Sequence, residues 1–432
     1  MKNGKNKPPF MHLNLNVRGI PQSATLRIND LSAELIGQGK KVYKMGLGQS
    51  PFPVPEQVVE ELKINAYQKD YLPVKGLKIL RESVSDYYKR TQGTEYSAED
   101  VLVGPGSKEL MFLLQLVYYG DLVIPTPSWV SYAPQAHIIG RHVRWVPTKR
   151  EDCWKLTPEE LSNLCSEDPD RPRIVILNYP SNPSGCTYKT DELKEIARVA
   201  RKYKVILLSD EIYGELHHQG QHVSIARFYA EGTIISGGLS KWCGAGGWRL
   251  GTFVFPETLR WLLDSMASVA SETFTSTSAP VQYAAVTAFK GSSEIEKYLK
   301  LSRKVLRTIG REISEKLRDT GVIVPQPAGG FYLFVDFSGF SMNLKKRSIT
   351  NSVELCSSLL SETGCAILPG VAFGRPLEEL TARIAYVNFD GAKALVEAGK
   401  YPEESRLDKT FLSNCCGEMV NAIGSICEWL KI

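Results

Sequence analysis

The sequence predicts an α/β fold: a mostly parallel central sheet in a large domain, with a smaller α/β domain built from both ends of the chain. Three observations carry this. Short, nearly continuous apolar runs alternate with stretches of helical spacing between about residues 100 and 240, the pattern of parallel strands covered on both faces. Polar residues able to do chemistry stand at the ends of those runs. The chain has 432 residues, more than one simple core organises. We expect an N-terminal arm and part of the small domain over 1–50, a large domain over 51–312 and a C-terminal small domain over 313–432.

Residues 1–22 read as an extended arm. Its first ten residues are rich in Lys, Asn and Pro and lack the apolar centre of a signal peptide. Residues 24–37 have helical spacing, with Leu26, Ile28, Leu31, Leu35 and Ile36 apolar, and 46–55 form a Gly/Pro-rich link. A strand over 101–103 runs into Gly104-Pro105-Gly106-Ser107, followed by a helix over about 108–118. The strand at 122–124 leads into Pro125-Thr126-Pro127-Ser128-Trp129, and that at 174–177 ends at Asn178. Residues 191–203 form a helix that buries Leu193, Ile196, Ala197 and Val199. Strands follow at 205–208 and 232–236. Beyond Pro256 helices dominate, with strands at 331–337 and 383–387. Residues 388–432 are mostly helical, with a polar break at 400–409.

Composition narrows the function. Apolar residues at 43% and charged residues at 23% are ordinary for a globular protein. A net charge of +5 over this length is mild, and no basic block is interleaved with aromatics, so nucleic acid is not an expected partner. The apolar run at 111–117 is too short to cross a bilayer, so no membrane partner is expected. Nine scattered cysteines without a CxxC pair read as free thiols, and a cytoplasmic protein is expected. No HExxH spacing occurs among the six histidines, and no catalytic metal is expected.

In open α/β sheets, ligands bind outside the carboxyl ends of the strands. Asn178, Asp210 and Lys241 fall there in turn, Asp210 32 residues after Asn178 and Lys241 31 residues after Asp210. Lys241, in Ser240-Lys241-Trp242, has Arg249 eight residues on, an arrangement that suits an amine nucleophile beside an anion clamp. An aspartate after a strand is most often a helix cap. Tyr213, three residues beyond Asp210, favours a carboxylate that keeps a ring nitrogen protonated. Gly104 to Lys108 is either an ordinary turn or a set of backbone amides and a helix N-terminus offered to an anion. Trp129 is either core packing or a plate for a planar ring. In Asn178-Tyr179-Pro180-Ser181-Asn182-Pro183-Ser184-Gly185, two X-Pro steps make a rigid loop from which an Asn amide can donate. Lysine, aspartate and arginine are the groups that pyridoxal phosphate needs from a protein.

These motifs carry a resemblance. Asn182-Pro183-Ser184-Gly185, Ser209-Asp210-Glu211-Ile212-Tyr213, Ser240-Lys241 and Gly247-Trp248-Arg249-Leu250-Gly251 occur in the order and spacing of the class I/II aminotransferases. The chain resembles that family, the fold type I pyridoxal-phosphate enzymes typified by aspartate aminotransferase, over about 20–391. The resemblance implies pyridoxal 5′-phosphate as cofactor and a role for each residue. Lys241 would tether the cofactor and shuttle the substrate α-proton, and Asp210 would face the pyridine nitrogen. Asn182 and Tyr213 would bond the ring oxygen, and Trp129 would stack on the ring. Gly106, Ser107, Lys108, Ser240 and Arg249 would surround the phosphate. Arg383 would grip the substrate carboxylate, with Gly48, Trp129 and Asn182 also lining the substrate pocket. Tyr71 would reach the phosphate of a second subunit, which implies a homodimer with shared sites.

The chain departs from the family in places. Gly238 stands where a serine is frequent, with Ser236 or Ser240 as partial replacements, and Ser50 stands where proline is common. No arginine lies between Arg260 and Arg303, where dicarboxylate-specific members carry one near Thr273. This speaks against strict aspartate specificity by that route and slightly favours aromatic or neutral donors. The expected activity is ping-pong transfer of an amino group between an amino acid and a 2-oxo acid. A lyase eliminating a β- or γ-substituent on the same fold is the alternative. A non-catalytic binder is a third reading, disfavoured by the short arm and by intact Lys241, Asp210 and Arg383.

Overall fold

The computed structural model describes residues 12–431 other than Pro21 and Glu404. Residues 1–11, the start of the expected arm, lie outside the described residues. Its strands in chain order are β1 (Tyr43–Lys44), β2 (Val101–Gly104), β3 (Asp121–Thr126), β4 (Val143–Pro147), β5 (Arg173–Asn178), β6 (Ile206–Asp210), β7 (Thr233–Gly238), β8 (Gly251–Val254), β9 (Tyr332–Asp336), β10 (Cys365–Ala366), β11 (Leu368–Pro369) and β12 (Thr381–Ala385).

Seven strands form the main sheet in the order β2-β8-β7-β6-β5-β3-β4. Neighbours from β7 to β4 pair in parallel, whereas β8 runs antiparallel to both β7 and β2. The mostly parallel sheet expected from the sequence is therefore present with one reversed strand. The apolar runs bury both faces, as parallel sheets require. In β6, Ile206 and Leu208 pack with Leu110 and Met266 on one face, while Leu207 packs with Leu193 and Ile196 on the other. Each fully buried side chain of this size contributes about 2 kcal/mol.

The sequence elements recur with small shifts. The first expected helix is Ala24–Gly37, the helix after β2 is Ser107–Val117 and the helix before β6 is Thr190–Lys202. The expected strand at 383–387 forms two residues earlier, as β12. It pairs antiparallel with β9 and with β11 in a three-stranded sheet. Residues 399–408 break the C-terminal helices Gly391–Ala398 and Lys409–Trp429, and Asp408 caps the second by accepting from the Phe411 N–H. Helix Ser293–Thr320 passes without interruption through the boundary expected at 312/313. Among the described residues, no helix is long and apolar enough to cross a membrane, and no cluster of potential metal ligands is found.

Candidate active site

The parallel ladder sets the site. β5 ends at Asn178 and β6 at Asp210, and the register places Asn178 beside Asp210 and Asp210 beside Ser236. Lys241 follows three residues after the end of β7. Asn178 acts as a brace: Nδ2 donates to the Asp210 carbonyl at 2.9 Å, and Oδ1 accepts the Asn182 N–H at 2.7 Å. The rigid loop beyond it thereby delivers Asn182, whose Oδ1 accepts from Arg383 Nη1 at 3.0 Å.

Asp210 is buried at the rim. Tyr132 donates its hydroxyl to Oδ2 at 2.6 Å, and Ser236 Oγ donates to Oδ1 at 3.3 Å. Burial pushes the Asp210 carboxyl up to about 6, against the opposing pull of the Tyr132 and Ile212 hydrogen bonds and the Lys241 charge. A carboxylate so placed is costly in its ionised form unless a cation faces it. Trp129 packs edge-on against Tyr132, with ring centres 5.3 Å apart, and Lys108 Nζ lies 5.1 Å from its ring centre.

Lys241 Nζ donates to the Gly48 carbonyl at 2.8 Å. Burial lowers its pKa to about 8, helped by the charges of Arg383, Arg249 and Lys108 and resisted by Asp210. Its amine lies 5.6 Å from the Tyr213 ring centre. The Tyr213 hydroxyl meets that of Tyr332 at 2.9 Å. A Cβ on Gly48 would overlap the Tyr332 hydroxyl, so only glycine admits this approach. Arg383, on β12, is buried between the rings of Tyr332 and Phe373, at 4.7 and 5.0 Å, contacts that favour the cation. It also donates to the Gly46 carbonyl, but its Nε is buried without a hydrogen-bond partner.

The anion cradle depends on the reversed strand. Because β8 runs antiparallel, it starts at the same rim where β2 ends, and Gly251 pairs with both Gly104 and Gly238. Arg249, two residues upstream with φ of 56°, lies against Gly106, where any side chain would overlap its guanidinium. Ser107 opens helix Ser107–Val117, whose free N–H groups favour an anion. Burial and the Arg249 charge both lower the Lys108 pKa. Gly238 has a structural reason for replacing the expected serine. Its φ is 148°, and a Cβ would stand 2.7 Å from the Leu250 carbonyl. Ser236 does not substitute for the missing hydroxyl, because it is engaged with Asp210. Ser240 directly precedes Lys241 and is half-buried.

Gly48, Gly106, Ser107, Lys108, Trp129, Asn182, Asp210, Tyr213, Lys241, Arg249 and Arg383 thus line one region. Tyr71 does not join it: it is 89% exposed. Sequence reasoning missed Tyr132 and Tyr332. Tyr132 lies three residues after Trp129 at the start of helix Tyr132–Ile138, and Tyr332 opens β9 after Gly329-Gly330. The spacing from Trp129 was the available signal for the first. The glycine pair ahead of an aromatic run was the signal for the second.

This geometry defines an amino-group-transfer site, and comparisons with known proteins agree. The family model "Aminotransferase class I and II" matches residues 40–398. The chain is 32% identical over 381 residues to an aspartate aminotransferase of Bacillus sp. (strain YM-2), covering 86% of this chain and 93% of that one. It is 29% identical over 377 residues to an asparagine–oxo-acid transaminase of Streptococcus mutans, covering 84% and 92%. The solved aspartate aminotransferase of Thermus thermophilus with maleate superposes with a TM-score of 0.82 at 26% identity, covering 97% of this chain and 100% of that one. The chain belongs to the class I and II aminotransferase family. It is a transaminase of the fold type I architecture, and the elimination alternative gains no support from these relatives.

Proposed function

We propose that this transaminase holds pyridoxal 5′-phosphate at the rim and exchanges amino groups between an amino acid and a 2-oxo acid by a ping-pong route. The observation that carries this is an excess of positive charge beside the Asp210 carboxylate. Lys108, Arg249, Lys241 and Arg383 converge closely enough that the other three all depress the Lys241 pKa. Among the described residues, none of the four forms an ion pair. Arg383 is buried and Lys241 half-buried, where a cation alone is costly, while Lys108 and Arg249 remain open to an incoming anion, and together they fit a ligand with a phosphate and a carboxylate.

The coenzyme, when bound, supplies an electron sink that acidifies the α-proton of an amino acid. The chain supplies the rest. Gly106, Ser107, Lys108, Ser240 and Arg249 receive the phosphate at the helix N-terminus. Trp129 covers the ring face. Asp210 gains an opposite charge at the ring nitrogen, which favours its ionised form. Asn182 and Tyr213 donate to the ring oxygen. Arg383 offers its fork to the substrate carboxylate, using the Nε that has no partner in the protein. Lys241 tethers the coenzyme. Once free, its amine would take the α-proton and hand it back on the coenzyme side. A pKa near 8 suits that exchange at neutral pH.

The lobes at 1–50, 51–312 and 313–432 belong to this reading, with helix Ser293–Thr320 as their connector. A homodimer is supported by the exposed aromatic pair Tyr67 and Tyr71, with Tyr71 serving the partner's phosphate site. A cytoplasmic setting is supported by nine unpaired cysteines. Aspartate is the first donor to test, because relatives carry that name, with aromatic and neutral amino acids as the competing class. The test mixes the loaded protein with single amino acids and follows the coenzyme's absorption in stopped flow. Conversion to the amine form, reversed by a 2-oxo acid, is expected. Spectra that no amino acid changes would refute the reading.

A further inference from the structure

Tyr332 touches both halves of the site, yet nothing in the transfer chemistry above uses it. On the coenzyme side its hydroxyl meets that of Tyr213 at 2.9 Å. On the substrate side its ring centre lies 4.7 Å from the Arg383 guanidinium carbon. Both tyrosines are buried.

The two hydroxyls are held together by more than their own contact. The Tyr213 and Tyr332 rings stand at 80° with centres 5.6 Å apart, and Phe331 packs edge-on against Tyr213 at 5.6 Å. Backbone bonds lace the segment after Tyr213 to the segment before Tyr332. The Gly330 N–H donates to the Leu216 carbonyl at 3.0 Å, and the His218 N–H donates to the Ala328 carbonyl at 2.8 Å. Tyr332 itself is fixed in β9 opposite Ala385. Its hydroxyl has two acceptors in reach, the Tyr213 oxygen at 2.9 Å and the Gly48 carbonyl at 3.5 Å. The second distance is at the outer edge of a hydrogen bond, and that carbonyl already takes Lys241 Nζ at 2.8 Å.

We propose that Tyr332 is a positioning residue with two separable parts, an inference that rests on the coenzyme reading above. Its hydroxyl aims the Tyr213 proton at the coenzyme's ring oxygen, and its ring seats the Arg383 fork for the substrate carboxylate. Between two phenols either hydroxyl can donate. A phenolate oxygen is the stronger acceptor, so the bound ring oxygen takes the Tyr213 proton. The Tyr213 oxygen is then left to accept, and Tyr332 is the donor beside it. A donor behind Tyr213 strengthens the bond that Tyr213 makes in front. That bond draws charge from the ring oxygen, and a less negative oxygen holds the proton on the neighbouring lysine–coenzyme linkage less firmly. The ring of Tyr332 acts on Arg383 instead. With Phe373 on the other side at 5.0 Å, it holds the guanidinium before any substrate arrives, so binding does not have to order it.

The experiment compares Tyr332→Phe, Tyr332→Leu, Tyr213→Phe and the Tyr213→Phe/Tyr332→Phe double variant with wild type, each loaded with pyridoxal phosphate. The proton on the lysine–coenzyme linkage is titrated by absorption, and kcat and KM for the donor are measured separately. Tyr332→Phe keeps the ring. Its linkage should titrate higher by about 0.5–1 in pH, and kcat should fall roughly two- to tenfold, the range of one neutral hydrogen bond, with KM unchanged. Tyr332→Leu should add a rise in KM. In the Tyr213→Phe background, Tyr332→Phe should move the titration no further. A Tyr332→Phe linkage that titrates as in wild type would overturn the role of the hydroxyl. So would an equal shift in the Tyr213→Phe background, the result expected if the hydroxyl served Gly48. An unchanged KM in Tyr332→Leu would overturn the role of the ring. Wild-type protein that shows no lysine-linkage band with pyridoxal phosphate would instead refute the coenzyme reading, and this inference with it.

Discussion

The Tyr132 hydroxyl donates to Asp210 Oδ2 at 2.6 Å, and this contact ranks first among those that hold the buried carboxyl down. Tyr132→Phe removes it while keeping the ring against Trp129. The carboxyl of the coenzyme-free protein then rises further, and its hold on the ring nitrogen of the loaded enzyme weakens. Hydrogen bonds to charged groups are worth about 1.5–3 kcal/mol, so kcat/KM should fall roughly ten- to a hundred-fold. The acid limb of its pH profile should shift upward. An unmoved limb would contradict the assignment.

Asp210 also marks the stability of the coenzyme-free protein. Its carboxyl titrates near 3.8 when unfolded and near 6 when folded. Between those values the folded state holds a proton that the unfolded chain has released. Stability from this group is therefore complete below about pH 4 and lost as pH rises through about 6, by roughly 3 kcal/mol. Urea titrations across that window should show a steeper decline for wild type than for Asp210→Asn.

For Lys241 the sign runs the other way. The folded amine titrates near 8 and the model value is 10.5, so the unfolded chain holds the extra proton between them, and stability from this group rises with pH across that window. Arg383→Met removes the largest charge depressing it and should move the amine's titration upward, read by NMR of labelled lysine in the coenzyme-free protein. Lys241→Ala should lose both the coenzyme tether and turnover, more than the ~10²–10⁴-fold that a missing general base accounts for.

Arg383→Lys keeps the charge but loses the planar fork and the unpartnered Nε. Bidentate recognition of a carboxylate does not survive that change. We expect KM for the amino donor to rise at least about tenfold, equivalent to about 1.4 kcal/mol, with a smaller change in the coenzyme's own affinity. Equal losses for donor and coenzyme would show that Arg383 serves the coenzyme instead.

Gly238→Ser restores a residue frequent in relatives, yet it should weaken this protein. The φ of 148° and the Leu250 carbonyl 2.7 Å from the new Cβ both oppose a side chain. A loss of about 1–3 kcal/mol is expected, read as a lower midpoint in urea, without tighter coenzyme binding.

Much of the site was readable in the sequence because strand ends are marked by polar residues after apolar runs. Asn178, Asp210 and Lys241 are such marks, and the ladder register brings the first two side by side. Strands β4 and β8 were not legible. β4 has mostly exposed or half-buried side chains at the sheet edge, and β8 is four residues that begin with glycine. Tyr132 and Tyr332 escaped because an aromatic at the start of a helix or strand looks like core. Only the fold shows that their hydroxyls meet Asp210 and Tyr213. Asn178 was legible by position but not by role, since its amide turns inward to brace the loop.

Helix Ser293–Thr320 has 28 residues, which at 1.5 Å rise each makes a rod about 42 Å long. Leu299, Val305 and Ile313 along it are buried in the same core as Phe331 and Tyr386. Ile313 and Leu317 near its far end share that core with Tyr332 and Val335 of β9, so a single span of backbone joins the residues around Ser293 to the strand that seats Tyr332 over Gly48.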